Sequence, residues 1–262
     1  MTMNTVDFLS SQWKLSNLNS GNTILIHSSL KSISQFLYKN DYKKFSVEDI
    51  FNSFLQAVGS DGTLLFPLFN FEFTKKNFFD IKNSKSQMGS LSEYARNYPG
   101  SIRTGHPIYS FAVIGKNAHH FEDLDNVSGY GIDSPFALLK DLQGKIGILG
   151  LEDQNSMTFY HYVEEFMKVD YRYFKEFSGI YVDKNGSEKN KTYKLFVRDL
   201  ERGIETRVNP MGELLWEKGI YKGFRHNEPN FFRTITAAEL FSETVDIINN
   251  NLAIDYLYTE KL

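Results

Sequence analysis

The chain has 262 residues, 41% of them hydrophobic, a length that suits one large domain or two small ones. It contains no cysteine, which excludes disulfide bridges, thiol catalysis and cysteine-ligated zinc and fits a reducing cytoplasm. A net charge of -3 and a pI near 6.1 argue against nucleic-acid binding, and no apolar run approaches the roughly 20 residues that span a membrane. The N-terminus lacks the pattern of a signal peptide, so we expect a cytoplasmic protein without a membrane or nucleic-acid partner.

Strands and helices alternate through the first third of the chain. Thr23–His27 is a short apolar run that predicts a central strand, and the hydroxyl-rich residues 28–34 are interpreted as a turn whose free N–H groups could bind an anion. Residues 46–59 begin with a capping-box pattern and predict an amphipathic helix, which a second strand follows at Thr63–Pro67. The aromatic and basic residues 69–85 lack periodicity, so we expect a loop that lines a pocket.

The middle of the chain continues this alternation. A short helix is expected at 90–97, with Ser90 as its cap, and a strand is expected at 108–114 after the polar cluster Arg103–Pro107. Ser134 followed by proline is typical of the start of a helix, and residues 145–150 predict a further strand. This alternation predicts an α/β sheet with ligands at the carboxyl ends of its strands.

The C-terminal part has a different pattern. Residues 180–197 predict a β-hairpin around Asn185–Gly186, and helices are expected at 213–218 and 236–250. The hairpin interrupts the regular succession of strands and helices, so we interpret this region as an addition to the α/β core.

No linker, repeat or low-complexity segment marks a domain boundary, so we predict a single α/β domain over residues 1–262. Its core, a mixed central sheet flanked by helices, is expected from about 20–167 and 236–262. Residues 168–235 are expected to form a C-terminal elaboration with a β-hairpin on the acceptor side.

His161 and Glu164 are the strongest candidates for catalysis. They follow a predicted strand and are three residues apart, so on a helix they share one face. A carboxylate beside an imidazole orients it and raises its basicity, as a general base at neutral pH requires. The alternative is an ordinary surface pair. The motif His119-His120-x-Glu122 has no further ligand at a recognisable spacing, so no metal site is expected.

Several segments, taken in order, resemble the aminoglycoside 3-N-acetyltransferase-like family, also called antibiotic N-acetyltransferases. They cover roughly residues 20–175 and are Ile26–Ile33, Gly62–Pro67, Met88–Leu91, Arg103–Phe111, Tyr130–Pro135, Gly144–Gly150 and Asn155–Glu164. The resemblance implies an α/β fold distinct from the GNAT acetyltransferases. It also implies direct transfer of an acyl group from a coenzyme A thioester, acetyl-CoA or a longer acyl-CoA, to a sugar amine without a metal.

The resemblance also implies roles for individual residues. His161 would be the general base, Glu164 its partner and Thr158 an oxyanion donor. Coenzyme A would bind the first loop and the 103–110 region, namely His27, Ser28, Ser29, Leu30, Lys31, Ser32, Arg103, His106 and Ser110. The acceptor would contact Phe69, Tyr160, Glu165, Tyr171 and Arg172.

The charge of residues 166–235 bears on the acceptor. This segment holds 14 Lys and Arg against 10 Asp and Glu, so its net charge is positive. A positive charge suits a nucleotide diphosphate better than a polycation. We therefore expect a dTDP-linked 3-amino-3,6-dideoxyhexose as acceptor, used in the synthesis of surface polysaccharide. The alternatives are an aminoglycoside acceptor, which implies antibiotic resistance, and a non-catalytic coenzyme A-binding protein. A monomer or a homodimer is expected.

Overall fold

A seven-stranded sheet lies at the centre of the computed structural model, which describes residues 3–261. The strands, in chain order, are β1 (Thr23–Ser28), β2 (Thr63–Pro67), β3 (Phe78–Asp80), β4 (Ile102–Arg103), β5 (Phe111–Gly115), β6 (Lys145–Leu149), β7 (Arg172–Val182), β8 (Glu188–Arg198), β9 (Ile204–Thr206), β10 (Lys222–Gly223), β11 (Phe232–Thr236) and β12 (Tyr258–Glu260). The helices are α1 (Thr5–Leu15), α2 (Leu30–Lys39), α3 (Val47–Val58), α4 (Phe73–Lys76), α5 (Ser90–Arg96), α6 (Pro135–Asp141), α7 (Phe159–Met167), α8 (Asn209–Glu217), α9 (Ala237–Asn249) and α10 (Ala253–Tyr256). None of the helices in residues 3–261 combines the length and the apolar character needed to cross a bilayer.

The strand order of the central sheet is β10-β11-β6-β1-β2-β5-β4. The three middle strands, β6, β1 and β2, are parallel, whereas β5, β4, β11 and β10 pair in antiparallel fashion. The predicted class, an α/β fold with a mixed central sheet flanked by helices, is confirmed. Because β1, β2 and β6 run in the same direction, their carboxyl ends meet at one edge of the sheet.

Helices cover both faces of this sheet, since alternate residues of each strand point to opposite sides. Leu25 and Leu65 belong to the apolar cluster that includes α6, α7 and α9. Ile24 and Ile26 belong to the cluster that includes α1, α2, α3 and α5. Burial on both sides explains why the middle strands are continuous apolar runs in the sequence.

The two capping patterns that the sequence predicts at Ser46 and Ser90 have different outcomes. Ser46 Oγ accepts a hydrogen bond from Asp49 N at 3.1 Å, and Asp49 accepts one from Ser46 N at 2.7 Å, which confirms the predicted capping box. The cap predicted at Ser90 is wrong, because the N-cap is Gly89 and makes no side-chain bond. Glu93, three residues after Ser90, pairs with Arg96 at 2.5 Å.

Three sequence interpretations differ from the structure. The stretch 28–34, interpreted as a turn, is mostly the first half of α2, whose Leu30, Ile33 and Leu37 follow helical spacing. The predicted loop at 69–85 contains α4 and β3, and the strand expected from residue 108 begins at Phe111. Helix α1 was not predicted.

The β-hairpin is present where the sequence predicted it. β7 pairs with β8 in antiparallel register from Arg172↔Arg198 to Val182↔Glu188, and β3 adds in parallel to β7. The expected boundary near residue 235 needs correction, because β10 and β11 lie inside the predicted elaboration yet extend the central sheet beside β6. Pairing with distant β6 is a non-local interaction that a sequence pattern does not reveal.

Candidate active site

A cavity of about 200 Å³ lies at the edge where the three parallel strands end. It is lined by His27, Phe69, Phe71, Met88, Tyr109, residues 153–158, His161, Thr206 and Val208. Four residues that the sequence singled out, His27, Phe69, Thr158 and His161, therefore meet here. His27 lies near the end of β1 and Phe69 follows β2, whereas the other two lie at the start of α7.

His161 and Glu164 form the pair that their spacing predicted. Helix α7 places His161 Nδ1 2.8 Å from Glu164 Oε2. The Glu164 side chain is 1% exposed and that of His161 is 21% exposed, so the carboxylate lies behind an imidazole that reaches the cavity. This geometry differs from that of a solvated surface pair.

Two further residues hold the Glu164 carboxylate. Arg172 Nε lies 2.8 Å from Glu164 Oε2, and the Tyr171 hydroxyl donates a hydrogen bond to Oε1 at 3.1 Å. Tyr171 and Arg172 are buried and do not line the cavity, so in this structure they contact Glu164 rather than the space open to an acceptor.

Burial and these contacts determine the charges of the pair. Burial and the nearby Arg172 guanidinium lower the pKa of His161, although Glu164 opposes the shift. Burial alone would raise the pKa of Glu164, but Arg172 and His161 hold it below its usual value. At neutral pH the pair is therefore a charged carboxylate and a neutral imidazole. An Nδ1–H that donates to Glu164 leaves Nε2 as a free acceptor, which a general base requires.

The end of β1 and the start of α2 carry polar groups that suit a coenzyme A thioester. His27 is 5% exposed, burial lowers its pKa to about 4, and its Nε2 has no hydrogen-bond partner among residues 3–261. Ser29 is the N-cap of α2 but makes no side-chain capping bond, so the N-terminal N–H groups of α2 remain available to an anion. Gly150, at φ +66°, packs closely against α2. A Cβ on Gly150 would lie 2.9 Å from the Ser32 side chain, so only glycine leaves room for Ser32.

The remaining residues of this segment that we expected to bind coenzyme A are Ser28, Leu30 and Lys31. Ser28 ends β1, and Leu30 and Lys31 form the first turn of α2. Lys31 is exposed, whereas the other two are half-buried. None of the three lines the cavity, and their role in binding stays a prediction.

Arg103, His106 and Ser110, also expected to bind coenzyme A, lie outside this cavity. Arg103 donates hydrogen bonds to the carbonyl oxygens of Ile81 and Ser84, at 3.0 and 2.6 Å, and to Ser110 Oγ at 3.1 Å. Arg103 lines a second cavity, of about 560 Å³, that shares no lining residue with the first.

His106 is fully buried, and its Nδ1 accepts hydrogen bonds from the backbone N–H groups of Ile108 and Tyr109 at 3.2 and 3.0 Å. Burial lowers its pKa to about 3. These contacts hold the segment before β5, and a role in cofactor binding stays a prediction for Arg103, His106 and Ser110.

Tyr160 and Glu165, expected at the acceptor, also point elsewhere. The fully buried Tyr160 donates its hydroxyl hydrogen bond to Asp153 at 3.1 Å. Glu165 accepts one from Ser128 Oγ at 2.7 Å, and burial raises its pKa. Neither side chain lines the cavity, so of the five expected acceptor residues only Phe69 does.

Sequence reasoning missed several residues of the site. The ring of Tyr130 lies 5.2 Å from that of His161 in an edge-on arrangement. Tyr130 belongs to the segment Tyr130–Pro135 that resembles the family, so it could have been found there. Tyr109 likewise stands in the Arg103–Phe111 segment. Thr206 ends β9 and Val208 precedes α8, in a distant part of the chain without a motif, so neither had a sequence signal.

The positive charge of residues 166–235 is not gathered at the cavity. Many of these cations pair with acids: Arg172 with Glu164, Lys184 with Asp123, Lys191 with Asp125, Arg202 with Glu260, Lys218 with Glu243, Arg225 with Glu213 and Arg233 with Asp153. Among the described residues, the lining of the cavity includes one acid, Asp153, and no lysine or arginine. The net charge of the segment therefore does not support a nucleotide diphosphate acceptor.

Known proteins share this chain's sequence pattern and fold. A family model described as aminoglycoside 3-N-acetyltransferase matches residues 25–248. Aminoglycoside N(3)-acetyltransferase VIII of Streptomyces fradiae is 25% identical over 167 residues, which cover 56% of this chain and 56% of that protein. The chain thus spans little more than half the length of the curated relatives it matches.

Solved structures agree in fold. Aminoglycoside acetyltransferase AAC(3)-Xa superposes with a TM-score of 0.79 at 22% identity, over 94% of this chain and 93% of that one. AAC-IIIb in a binary complex with CoASH superposes with a TM-score of 0.75 at 19% identity, over 95% and 97% of the two chains. Because the family model covers most of its length, this chain belongs to the aminoglycoside 3-N-acetyltransferase family.

Proposed function

We propose that this protein is an N-acyltransferase that moves an acyl group from a coenzyme A thioester to the amine of an amino sugar. Acetyl is our first candidate for the acyl group. The observation that carries the proposal is the neutral imidazole of His161 at the cavity, held through Nδ1 by the buried carboxylate of Glu164 at 2.8 Å. A non-catalytic coenzyme A-binding protein would not need a buried carboxylate held against an imidazole beside its ligand.

The described residues can perform each proton transfer of the reaction. A bound thioester would supply the acyl group and the thiolate leaving group. His161 Nε2 takes a proton from the sugar amine, so that the nitrogen lone pair can form the new C–N bond as the C–S bond breaks. The same imidazolium, stabilised by Glu164, then returns the proton to the departing sulfur.

Thr158, which lines the cavity three residues before His161, is our candidate donor to the developing oxyanion. Its hydroxyl lies at the start of α7, on the same wall of the cavity as the base. His27 Nε2 and the N-terminal N–H groups of α2 are our candidates for holding the thioester in place.

An aminoglycoside is the acceptor that the observations favour. The relatives are named for aminoglycosides, and the described part of the chain places no lysine or arginine at the cavity that would repel a polyamine. The nucleotide-linked amino sugar rested on a net charge that the ion pairs neutralise, so we retain it as the competing acceptor in the assay. The cytoplasmic location, the monomeric or homodimeric state and the acceptor-side role of the hairpin region stay predictions.

A thiol-release assay tests the proposal directly. The purified protein is given acetyl-CoA, or a longer acyl-CoA, with kanamycin-type aminoglycosides and separately with dTDP-3-amino sugars. We expect release with aminoglycosides and a loss of about 10² or more in turnover for His161→Ala, with coenzyme A binding retained. His119→Ala is the matched control, because this exposed histidine bonds only the carbonyl of Lys116.

Each other result has a defined meaning. Release with only the nucleotide sugar would keep the acyltransferase and overturn the acceptor. Undiminished turnover in His161→Ala would show that His161 is not the general base. Silence with every pair despite coenzyme A binding would overturn the proposed function.

A further inference from the structure

A second buried carboxylate, Asp153, lines the same cavity as Thr158 and His161. Its side chain is 5% exposed and accepts three hydrogen bonds, two of them from distant parts of the chain. Tyr221 donates to Oδ2 at 2.6 Å, Tyr160 donates to the same oxygen at 3.1 Å, and Arg233 Nη2 donates to Oδ1 at 2.7 Å.

These donors belong to three different elements. Tyr160 is in α7, Tyr221 lies between α8 and β10, and Arg233 is in β11, where it stands opposite Ile148 of the central sheet. Arg233 Nη1 also donates to the carbonyl oxygen of Leu151 at 2.7 Å. The Asp153 carboxylate therefore ties the segment after β6 to the sheet, to α7 and to the C-terminal region at once.

The backbone around Asp153 continues directly into the catalytic helix. The carbonyl oxygen of Asp153 accepts hydrogen bonds from Ser156 N at 3.1 Å and Met157 N at 2.9 Å. One residue later Thr158 N-caps α7, and its carbonyl oxygen accepts a bond from His161 N at 3.0 Å. A shift of Asp153 would thus move both side chains relative to the cavity.

The Asp153 carboxylate packs closely against α8. A Cβ on Gly212 of α8 would lie 2.7 Å from Asp153 Oδ1, so helix and carboxylate are in direct contact. Gln154, the next residue, donates from its backbone to Asn209 Oδ1 at 2.9 Å, and its side-chain carbonyl accepts from Val208 N at 2.9 Å. The turn is therefore held on both sides.

We propose that Asp153 is a positioning residue of the acyltransferase site, and that its carboxylate, held by Tyr160, Tyr221 and Arg233, sets the placement of Thr158 and His161. The inference rests on the proposed function. A shared buried carboxylate is suited to this task, because its three hydrogen bonds fix it to three different elements at once and make one arrangement rigid. Catalysis is sensitive to such placement, since a displacement of about 1 Å can reduce the rate about 10²-fold.

Tyr221→Phe is the decisive variant. It removes one of the three hydrogen bonds, leaves the ion pair with Arg233 intact and changes no cavity-lining residue. Tyr193→Phe is the matched control, because the buried Tyr193 hydroxyl donates to Asp125 at 2.7 Å, away from this cavity. We expect kcat to fall about tenfold in Tyr221→Phe alone, with the affinity for coenzyme A retained.

A double-mutant comparison separates positioning from general weakening of the fold. If Tyr221 acts through the placement of His161 and Thr158, its removal in a background that carries both His161→Ala and Thr158→Ala should change kcat by less than about twofold. An equal loss in both backgrounds, or unchanged kcat in Tyr221→Phe, would overturn the proposal.

Amide hydrogen exchange gives a readout that does not depend on turnover. Residues 154–161 should exchange faster in Tyr221→Phe and at the wild-type rate in Tyr193→Phe. If the wild type transfers no acyl group, the proposed function fails, and the exchange result alone decides whether Asp153 holds this segment. Unchanged exchange would overturn that role as well.

Discussion

Replacing Glu164 by glutamine tests the central pair of the site. The substitution keeps the size of the side chain but removes a charge that contacts Arg172 at 2.8 Å and His161 at 2.8 Å. Arg172 is then left buried without its carboxylate, and His161 loses the group that orients it and supports its protonated form.

The structure sets the size of both effects. Removing one partner of a buried ion pair costs about 3–5 kcal/mol. At about 2–4 °C per kcal/mol, this corresponds to a fall of about 6 to 20 °C in the unfolding temperature. Turnover should fall at least about 10²-fold, because burial and Arg172 continue to lower the pKa of His161 while the opposing effect of Glu164 is gone.

Thermal unfolding and the pH profile of thiol release measure these effects. The neutral imidazole is the base, so wild-type kcat/KM should rise with pH through the pKa of His161, and this inflection should move to lower pH in Glu164→Gln. Glu243→Gln is the control, because it breaks a surface pair with Lys218 worth about 1 kcal/mol or less. Wild-type turnover and unfolding temperature in Glu164→Gln would refute the reasoning.

Two further predictions concern stability. Burial lowers the pKa of His27 to about 4 and that of His106 to about 3, so as pH falls below about 6.5 the unfolded chain binds more protons and stability drops by about 1.4 kcal/mol per pH unit for each histidine. In urea unfolding at several pH values, His106→Asn, whose Oδ1 can replace the Nδ1 acceptor, should make this slope shallower, and an unchanged slope would contradict the argument. Ser46→Ala should cost about 1 kcal/mol in the same measurement and Ser90→Ala much less, because Gly89 caps α5; equal losses would contradict this assignment.

The sequence alone was sufficient where structure depends on neighbouring residues. The strand Thr63–Pro67, the capping box at Ser46 and the hairpin around Asn185–Gly186 each depend on a pattern within a few residues, and each is present. The 2.8 Å contact of His161 with Glu164 belongs to the same class, because three residues on a helix place two side chains on one face. Family membership likewise followed from short segments in a fixed order.

Only the tertiary structure decided which polar groups face the cavity. Tyr171 and Arg172 contact the buried carboxylate of Glu164. His106 accepts two backbone hydrogen bonds. These three side chains therefore stabilise the interior and do not line the cavity. The cations of the C-terminal region pair with acids that are remote in the chain, as Arg233 does with Asp153. The physical reason is that burying a polar group is costly unless it finds a partner, and such partners come from parts of the chain that no local pattern connects.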